Sequence, residues 1–580
     1  MRLNEYIRYQ PEEGPPPLLT LGVAIQGTMI MLSNTVLVTT IFVLGAGEDQ
    51  EYLSWAVFSA LLISGITTAL QAARLGKLGA GHVLLMGAGS PFIAVCVLAV
   101  IEGGPSTLAS LIVISSLLQF AMATWLPKMR RIITPVVSGT ALMLIAITVI
   151  PIAIARLTDV PDGTDPEAGV AAAGMALVIF LVLTLRATGI WRLWAIPLSI
   201  TAGCVVAAWL GFYDFRPVLD APWFAIPKVA AWPGFSLAPG TEFWGVLPMF
   251  LIVSVVVAVK YSSDGAVIQQ VSRRRPHATD FRIVQGTLNV GGLGMLLSGL
   301  AGTPPPVIYT PSCFSLINLT GVASRRVGPV IGAMLILVAV FPKTLAFMLA
   351  VPGAVMGAIL LIIMGLLFVE GMRTVLKDGL DHRKALMAGT SLAIGVGLQS
   401  HNLFAELLGE TWGVLLGNSL VSGVLAVVIM TSFMEVASRR RKRLESELDI
   451  SSLPGIDTFL REVASGMGWD SASIERLAAA GEETLSSMLQ LSDDYEGDAP
   501  PRLIITVLGS PRTMNIEFMA IGGEENIEDR MAYLVEHSDS PDENELSFRL
   551  LRHHTSSVRH RKYHGIDVVT VQVAAIPRSR

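Results

Sequence analysis

Lys260 and Asp264 stand four residues apart in VAVKYSSDGAVIQQ, inside a long apolar stretch. Helical spacing puts them on one face, where an ammonium and a carboxylate can meet. Each is costly in hydrocarbon unless paired or facing a cavity, and such residues mark solute, proton or ion pathways. The chemistry on offer is proton or cation coupling by Asp264, with Lys260 as counter-ion or anion ligand. An inert pair near the cytoplasmic end of a span would use the same two residues. A second feature is GTPPPVIYTPSCFSLINLTG at 302–321, where Pro304, Pro305, Pro306 and Pro311 interrupt an apolar segment. Proline cannot continue a helix, and unbonded backbone survives in a bilayer only where protein encloses it or it lines a cavity. AGHVLLMGAGSPFIAVCV, residues 80–97, is interrupted in the same manner by Gly87, Gly89 and Pro91.

The elements that must position these residues follow from composition. The chain has 580 residues, 52% hydrophobic and 15% charged, and the charge is concentrated after residue 435. Apolar runs of bilayer length number about fourteen, in two sets of roughly seven, divided by the polar stretch 214–242. The two interrupted segments are the third of each set. Odd sets repeated in tandem have opposite topology, and interrupted segments at matched positions point to a midplane solute site. Amides there and the N-terminal ends of the following half-helices suit a polar or anionic ligand. A kink at a packing site is the structural alternative.

Basic residues fall in alternate gaps: Arg74 and Lys77, Lys128 to Arg131, Arg186 and Arg192, Arg273 to Arg275, Arg325 and Arg326, Arg373 and Lys377, and RRRKR at 439–443. The positive-inside rule then places both termini in the cytoplasm, in the inner (plasma) membrane. The polar start MRLNEYIRYQPEEGPPP does not read as a cleaved signal. A net charge of −5 gives no case for nucleic acid. Cys96, Cys204 and Cys313 lack metal-ligand spacing and a disulfide framework. No cofactor is implied, and no nucleophile–base pair or metal-ligand set argues for an enzyme.

Several segments, in order, resemble the nucleobase–ascorbate transporter family, the uracil/xanthine permeases. IQGTMIMLSNTVLVT is similar to its first span, with Gln26, Thr35 and Val38 in matching places. MRRIITPVVSGTALMLI resembles its fifth span, and FPKTLAFMLAVPGAVMGAILL with EGMRTV its eleventh and twelfth. The resemblance covers 18–435. It implies an all-α polytopic fold of fourteen spans, arranged as core and gate in two inverted seven-segment repeats. Short strands in segments 3 and 10 would meet at the solute site. It also implies a homodimer that takes up a nucleobase with protons or Na+ by alternating access.

By that resemblance the substrate-binding positions are Gln26, Ser90, Phe92, Ser262, Tyr309, Ser312, Cys313 and Ser315, with Asp264 and Lys260 for ion coupling. Gln26 offers an amide with donor and acceptor faces, and Phe92 or Tyr309 an aromatic face. The sequence departs from the family at Gly27, where the family has histidine. It departs again at Ser262, where the family has its substrate-binding glutamate, and Asp264 two residues on can replace that acid. In the tenth-span signature Thr320 and Gly321 fit, while Ser312, Cys313 and Ser315 differ. These departures leave a small anion open as an alternative cargo on the same fold.

Residues 1–17 read as a cytoplasmic tail, 436–450 as a basic linker that anchors at the anionic leaflet, and 451–580 as a small α/β cytoplasmic domain. That domain resembles the anti-sigma-factor kinase type of ATPase fold, with Glu483 in the place of its nucleotide-binding acid and Ser487 where it has asparagine. A DxGxG loop is missing, so a regulatory module with a protein partner is the expectation. His553, His554, His560 and His564, among Arg and Lys, read as a solvated basic face. A membrane solute sensor signalling through this domain is the third functional alternative.

Overall fold

The computed structural model describes residues 7–575 apart from 130–134, 187–194, 377–381, 400–418, 438–441, 492–500, 521–526, 528–545 and several shorter gaps. The chain forms two compact units: Met1–Arg275 with Ile283–Ser432, and Pro276–Arg282 with Phe433–Arg580.

The first unit is mostly helical. Its helices are α1 (Pro17–Gly45), α2 (Gln50–Ala73), α3 (Ile93–Met129), α4 (Pro135–Ala155), α5 (Pro166–Arg186), α6 (Ala195–Trp209), α7 (Thr241–Val271), α8 (Phe281–Ala301), α9 (Thr310–Thr320), α10 (Val327–Ala339), α11 (Gly353–Leu376), α12 (His382–Gln399) and α13 (Ser419–Ala437). Two short strands, β1 (Met86–Ala88) and β2 (Pro306–Ile308), interrupt the series. Eight described helices are long and apolar enough to cross a membrane, and three shorter apolar ones lie at Leu198–Trp209, Val327–Ala339 and Val421–Met434. Such helices are the natural state of these sequences in lipid, because each satisfies its own backbone.

Local signals set several boundaries. Proline opens α1, where a missing amide costs nothing. Asp49 caps α2 by accepting from the Tyr52 amide at 2.8 Å. The expected third and fourth segments are the two halves of α3, separated by non-helical backbone at Gly104 (φ 76°, ψ 173°). Helix α2 packs on α10, α4 on α11 and α3 on α7. At the α2–α10 crossing a Cβ on Gly65 would lie 2.6 Å from the Gly332 carbonyl. Only paired small residues let two backbones come so near, as at membrane-helix crossings generally.

The N-terminal tail is tied down within this unit. The Arg8 and Tyr9 amides donate to the Gly321 carbonyl, and Ala323 donates back to Tyr9. Arg274 at the end of α7 grips Glu13 at 2.8 Å.

The second unit contains β3 (Lys442–Glu447), α14 (Leu453–Gly466), α15 (Ser471–Leu491), β4 (Arg502–Gly509), β5 (Thr513–Ala520), α16 (Leu546–His554), β6 (Ser557–Tyr563) and β7 (Ile566–Ala574). Its sheet has the order β3-β4-β5-β7-β6, with antiparallel pairs throughout. One face packs on the amphipathic α14 and α15 through Leu460, Leu477, Leu485, Ile505, Phe518 and Val571. Strand β3 starts inside the stretch expected as a basic linker. His560 departs from the expected solvated face: it is buried, accepts from the Ile527 amide at 3.0 Å and stands 3.4 Å from Asp567. Lys562 shares Asp567 at 3.2 Å, and burial holds its amine below the ordinary lysine value against the pull of that carboxylate. Glu483 on α15 is pushed above the usual carboxylate range by burial, with a hydrogen bond from Ser547 opposing.

Candidate functional site

The two proline- and glycine-broken segments meet. Strands β1 and β2 pair antiparallel, with Met86 opposite Ile308, Gly87 opposite Val307 and Ala88 opposite Pro306. The ladder continues beyond the strands: the Gly89 amide donates to the Pro305 carbonyl at 2.9 Å, and the Tyr309 amide to the Leu85 carbonyl at 3.0 Å. Pro306 is tolerated because it stands at a non-hydrogen-bonded pair, and the Gly89 carbonyl that Pro305 cannot reach accepts instead from the Phe92 amide at 3.0 Å. Each strand then runs directly into a helix start. A short turn, Ser90–Phe92, leads into α3, and Tyr309 leads into α9 with Pro311 in its first turn. Two helix N-termini therefore begin beside the crossing, with the positive end of each dipole there; the Phe92, Ile93 and Cys313 amides are already bonded, to the Gly89, Ser90 and Tyr309 carbonyls.

Tyr309 and side chains from α2, α7 and α9 cap carbonyls and amides in and beside the strands. The Tyr309 hydroxyl donates to the Ala88 carbonyl at 2.6 Å, and the Tyr261 hydroxyl on α7 to the Pro306 carbonyl at 2.6 Å. Thr68 on α2 accepts from the Met86 amide at 3.0 Å. Cys313, fully buried on α9, accepts from the Leu85 amide through its sulfur at 3.2 Å. Gln71 Nε2 joins α2 to α8 by donating to the Thr287 carbonyl at 3.2 Å. Buried backbone groups left unpaired would be expensive, and these contacts explain how non-helical backbone survives here.

Lys260 and Asp264 lie at the same place. Lys260 Nζ donates to Asp264 Oδ2 at 2.7 Å, to the Ile308 carbonyl at 3.0 Å and to Thr310 Oγ1 at 3.0 Å. An ammonium has three donors, so all three are used. The pair is largely buried, with side-chain exposures of 13% and 7%.

The remaining sequence-predicted residues divide. Ser90 is buried at the start of the half-helix, and Phe92 is buried against Phe250 of α7, ring centroids 6.5 Å apart. Ser262 lies half-buried on α7 between the paired charges, and Ser312 is half-buried in the first turn of α9. The side chains of Gln26, Ser90, Ser262 and Ser312 form no hydrogen bond among the described residues. Ser315 is a position of α9 whose side chain lies outside the described set. Gln26 is not brought to the crossing. The α1 residue beside β1 is Thr35, nine positions on, or about 13 Å along the helix axis. A Cβ on Gly87 would come within 2.6 Å of Thr35 Oγ1, which is buried without a partner among the described residues.

Sequence reasoning missed Thr68, Tyr261 and Thr310 as parts of this arrangement, and named Thr35 only as a place matching the family's first span. A signal existed for two of them. Thr310 opens a Thr-Pro helix start, and Tyr261 adjoins Lys260 on a span already marked by its charges.

The arrangement brings together a buried two-stranded crossing, two helix starts and one ion pair. Among the described residues, no group of three or more His, Cys, Asp or Glu side chains could hold a metal ion. Comparison with known proteins gives the family. The Permease family (Xan_ur_permease) matches residues 19–404. The uric acid permease PucJ of Bacillus subtilis is 26% identical, over 72% of this chain and 93% of its own. The xanthine permease XanQ of Escherichia coli is likewise 26% identical, over 75% of this chain and 95% of its own. Among solved structures, the transmembrane domain of a cyanobacterium bicarbonate transporter, BicA, gives a TM-score of 0.46 at 14% identity, over 73% of this chain and 100% of that one. The chain is a multi-pass membrane transporter and belongs to the xanthine/uracil permease family.

Proposed function

We propose that this permease takes up a nucleobase of the xanthine or uric acid kind, coupled to protons, by alternating access. The β1–β2 crossing carries the reading: two half-helix N-termini start beside it, and polar side chains there are uncommitted. A purine presents donors and acceptors around a flat ring. Ser90 and Ser312 at the starts of α3 and α9 would read those edges, and Ser262 would add a hydroxyl from α7. Tyr309 and Cys313 would act by holding the strands, since both are already spent on backbone groups. Ser315 belongs to the same stretch of α9 as Ser312, while Gln26 lies too far along α1 to touch a cargo at the crossing. The relatives named for xanthine and uric acid support the cargo class.

In this reading Asp264, with Lys260, is the ion-coupling group. The spans form fourteen segments in two inverted sets of seven, with residues 18–435 as transporter, 436–450 as linker and 451–580 as a cytoplasmic regulatory domain. The protein works as a homodimer in the plasma membrane with both termini inside. Lys260 has no donor left for an anion, which counts against a small-anion cargo. Equilibrium binding of labelled xanthine to the purified full chain tests the assignment. Micromolar binding that weakens at least tenfold in both Ser90→Ala and Ser312→Ala supports it; binding indifferent to both removes the crossing as the cargo site.

A further inference from the structure

Three oxygens converge on Lys260 Nζ: Asp264 Oδ2 at 2.7 Å, Ile308 O at 3.0 Å and Thr310 Oγ1 at 3.0 Å. They are a carboxylate, a carbonyl at the end of an unwound segment, and a hydroxyl at the foot of a half-helix. Unwound carbonyls at broken helices are the donors with which transporters of this general design coordinate a coupling cation. Here the position is filled by the chain's own ammonium. We infer that Lys260 is a tethered cation, seated in a monovalent-cation site made by Asp264, Ile308 and Thr310, so that no sodium or potassium ion binds there during transport.

Charge and geometry both support the assignment. One carboxylate faces one ammonium, and a second cation would meet repulsion with only one negative group to offset it. The three donors of the ammonium match the three acceptors, so its hydration is fully replaced. Both side chains are largely buried, so removing the ammonium strands a carboxylate away from water, a costly state that a free cation can relieve. The tether also has a mechanical consequence. A free ion would leave with the solute, whereas Lys260 keeps α7 bonded to the β2–α9 junction while the site is empty. The consequence for transport rests on the permease reading: of the two ions expected for coupling, sodium is excluded at this position and the proton remains.

The test reads ion binding without any nucleobase, so failure of the cargo assignment leaves it intact, and the converse holds. Melting of the purified full chain is followed in choline chloride and in ammonium, potassium or sodium chloride at equal ionic strength. Wild type should melt at one temperature in all four. Lys260→Ala should melt lower in choline and rise by about 2 °C or more in at least one small cation. Lys260→Ala combined with Asp264→Asn should lose that response. Lys260→Ser, which leaves room and adds a hydroxyl, serves as the second variant. The inference is overturned if wild type gains as much from a small cation as the variants do. It is equally overturned if folded variants ignore every cation, or if both variants aggregate in all four salts, since a vacated site should recover in at least one.

Discussion

The Tyr309 hydroxyl donates to the Ala88 carbonyl across 2.6 Å, joining residues 221 positions apart in the sequence. It is one of several side-chain locks that turn two broken segments into a defined crossing. Because the same residue starts α9, its hydroxyl sets the distance between the two half-helix N-termini. Tyr309→Phe should keep the ring in place and leave the carbonyl unpaired. A loss of about 1–3 kcal/mol in stability is expected, read as a lower melting temperature of the purified protein, together with weaker xanthine binding. Unchanged binding would mean that the spacing of the half-helices does not matter to cargo.

Gly87 sits where a Cβ would lie 2.6 Å from Thr35 Oγ1 and 3.2 Å from the Tyr309 ring. Gly87→Ala should therefore cost about 1–3 kcal/mol as an overpacked site. Adding Thr35→Ala should recover a large part of the loss, because the two residues share one collision. Melting of the single and double variants checks the coupling; strict additivity would contradict it.

Much of this arrangement was legible in the sequence, and the remainder was hidden for physical reasons. The paired breaks could be seen because proline and glycine act on their own local backbone, wherever the chain later folds. Lys260 and Asp264 could be paired because helical spacing is a local property. Thr68 and Tyr261, which cap the strands, and Thr310, which accepts from Lys260, are ordinary residues whose role comes only from tertiary placement. In the second unit, β3 and β6 escaped notice because they are the edges of the sheet. β3, KRLESE, is an exposed charged edge of the kind that prevents unwanted pairing, whereas β6, SVRHRKY, buries His560 and Lys562 on Asp567; in both, the alternating apolar signal is lost.

Cys313 gives a sharp distinction between chemistry and packing. Its sulfur accepts the Leu85 amide at 3.2 Å in a fully buried place. Cys313→Ser keeps an acceptor and should retain near-normal melting and binding. Cys313→Ala leaves the amide unpaired and should cost about 1 kcal/mol or more. Equal behaviour of the two variants would show that the sulfur contact is incidental.

The N-terminal tail should respond to acid. Glu13 is held below its ordinary value of 4.5, chiefly by the hydrogen bond from the Gln10 amide, with burial opposing and Arg274 adding to the lowering. A lowered carboxylate contributes stability that is complete above the ordinary value and is lost as pH falls through the lower, folded one. The tail should thus stay protected from hydrogen exchange at pH 5 and above, and loosen below about pH 4. Glu13→Gln should loosen it at every pH. A tail equally protected at pH 3 and 7 would contradict the assignment.

Transport itself is the central claim. The full chain, reconstituted in liposomes with an inward proton gradient, would be offered labelled xanthine and uric acid, with sulfate and bicarbonate in parallel. The account predicts gradient-driven purine uptake that Asp264→Asn abolishes, with neither anion accumulated. Accumulation of sulfate or bicarbonate without purine would contradict it.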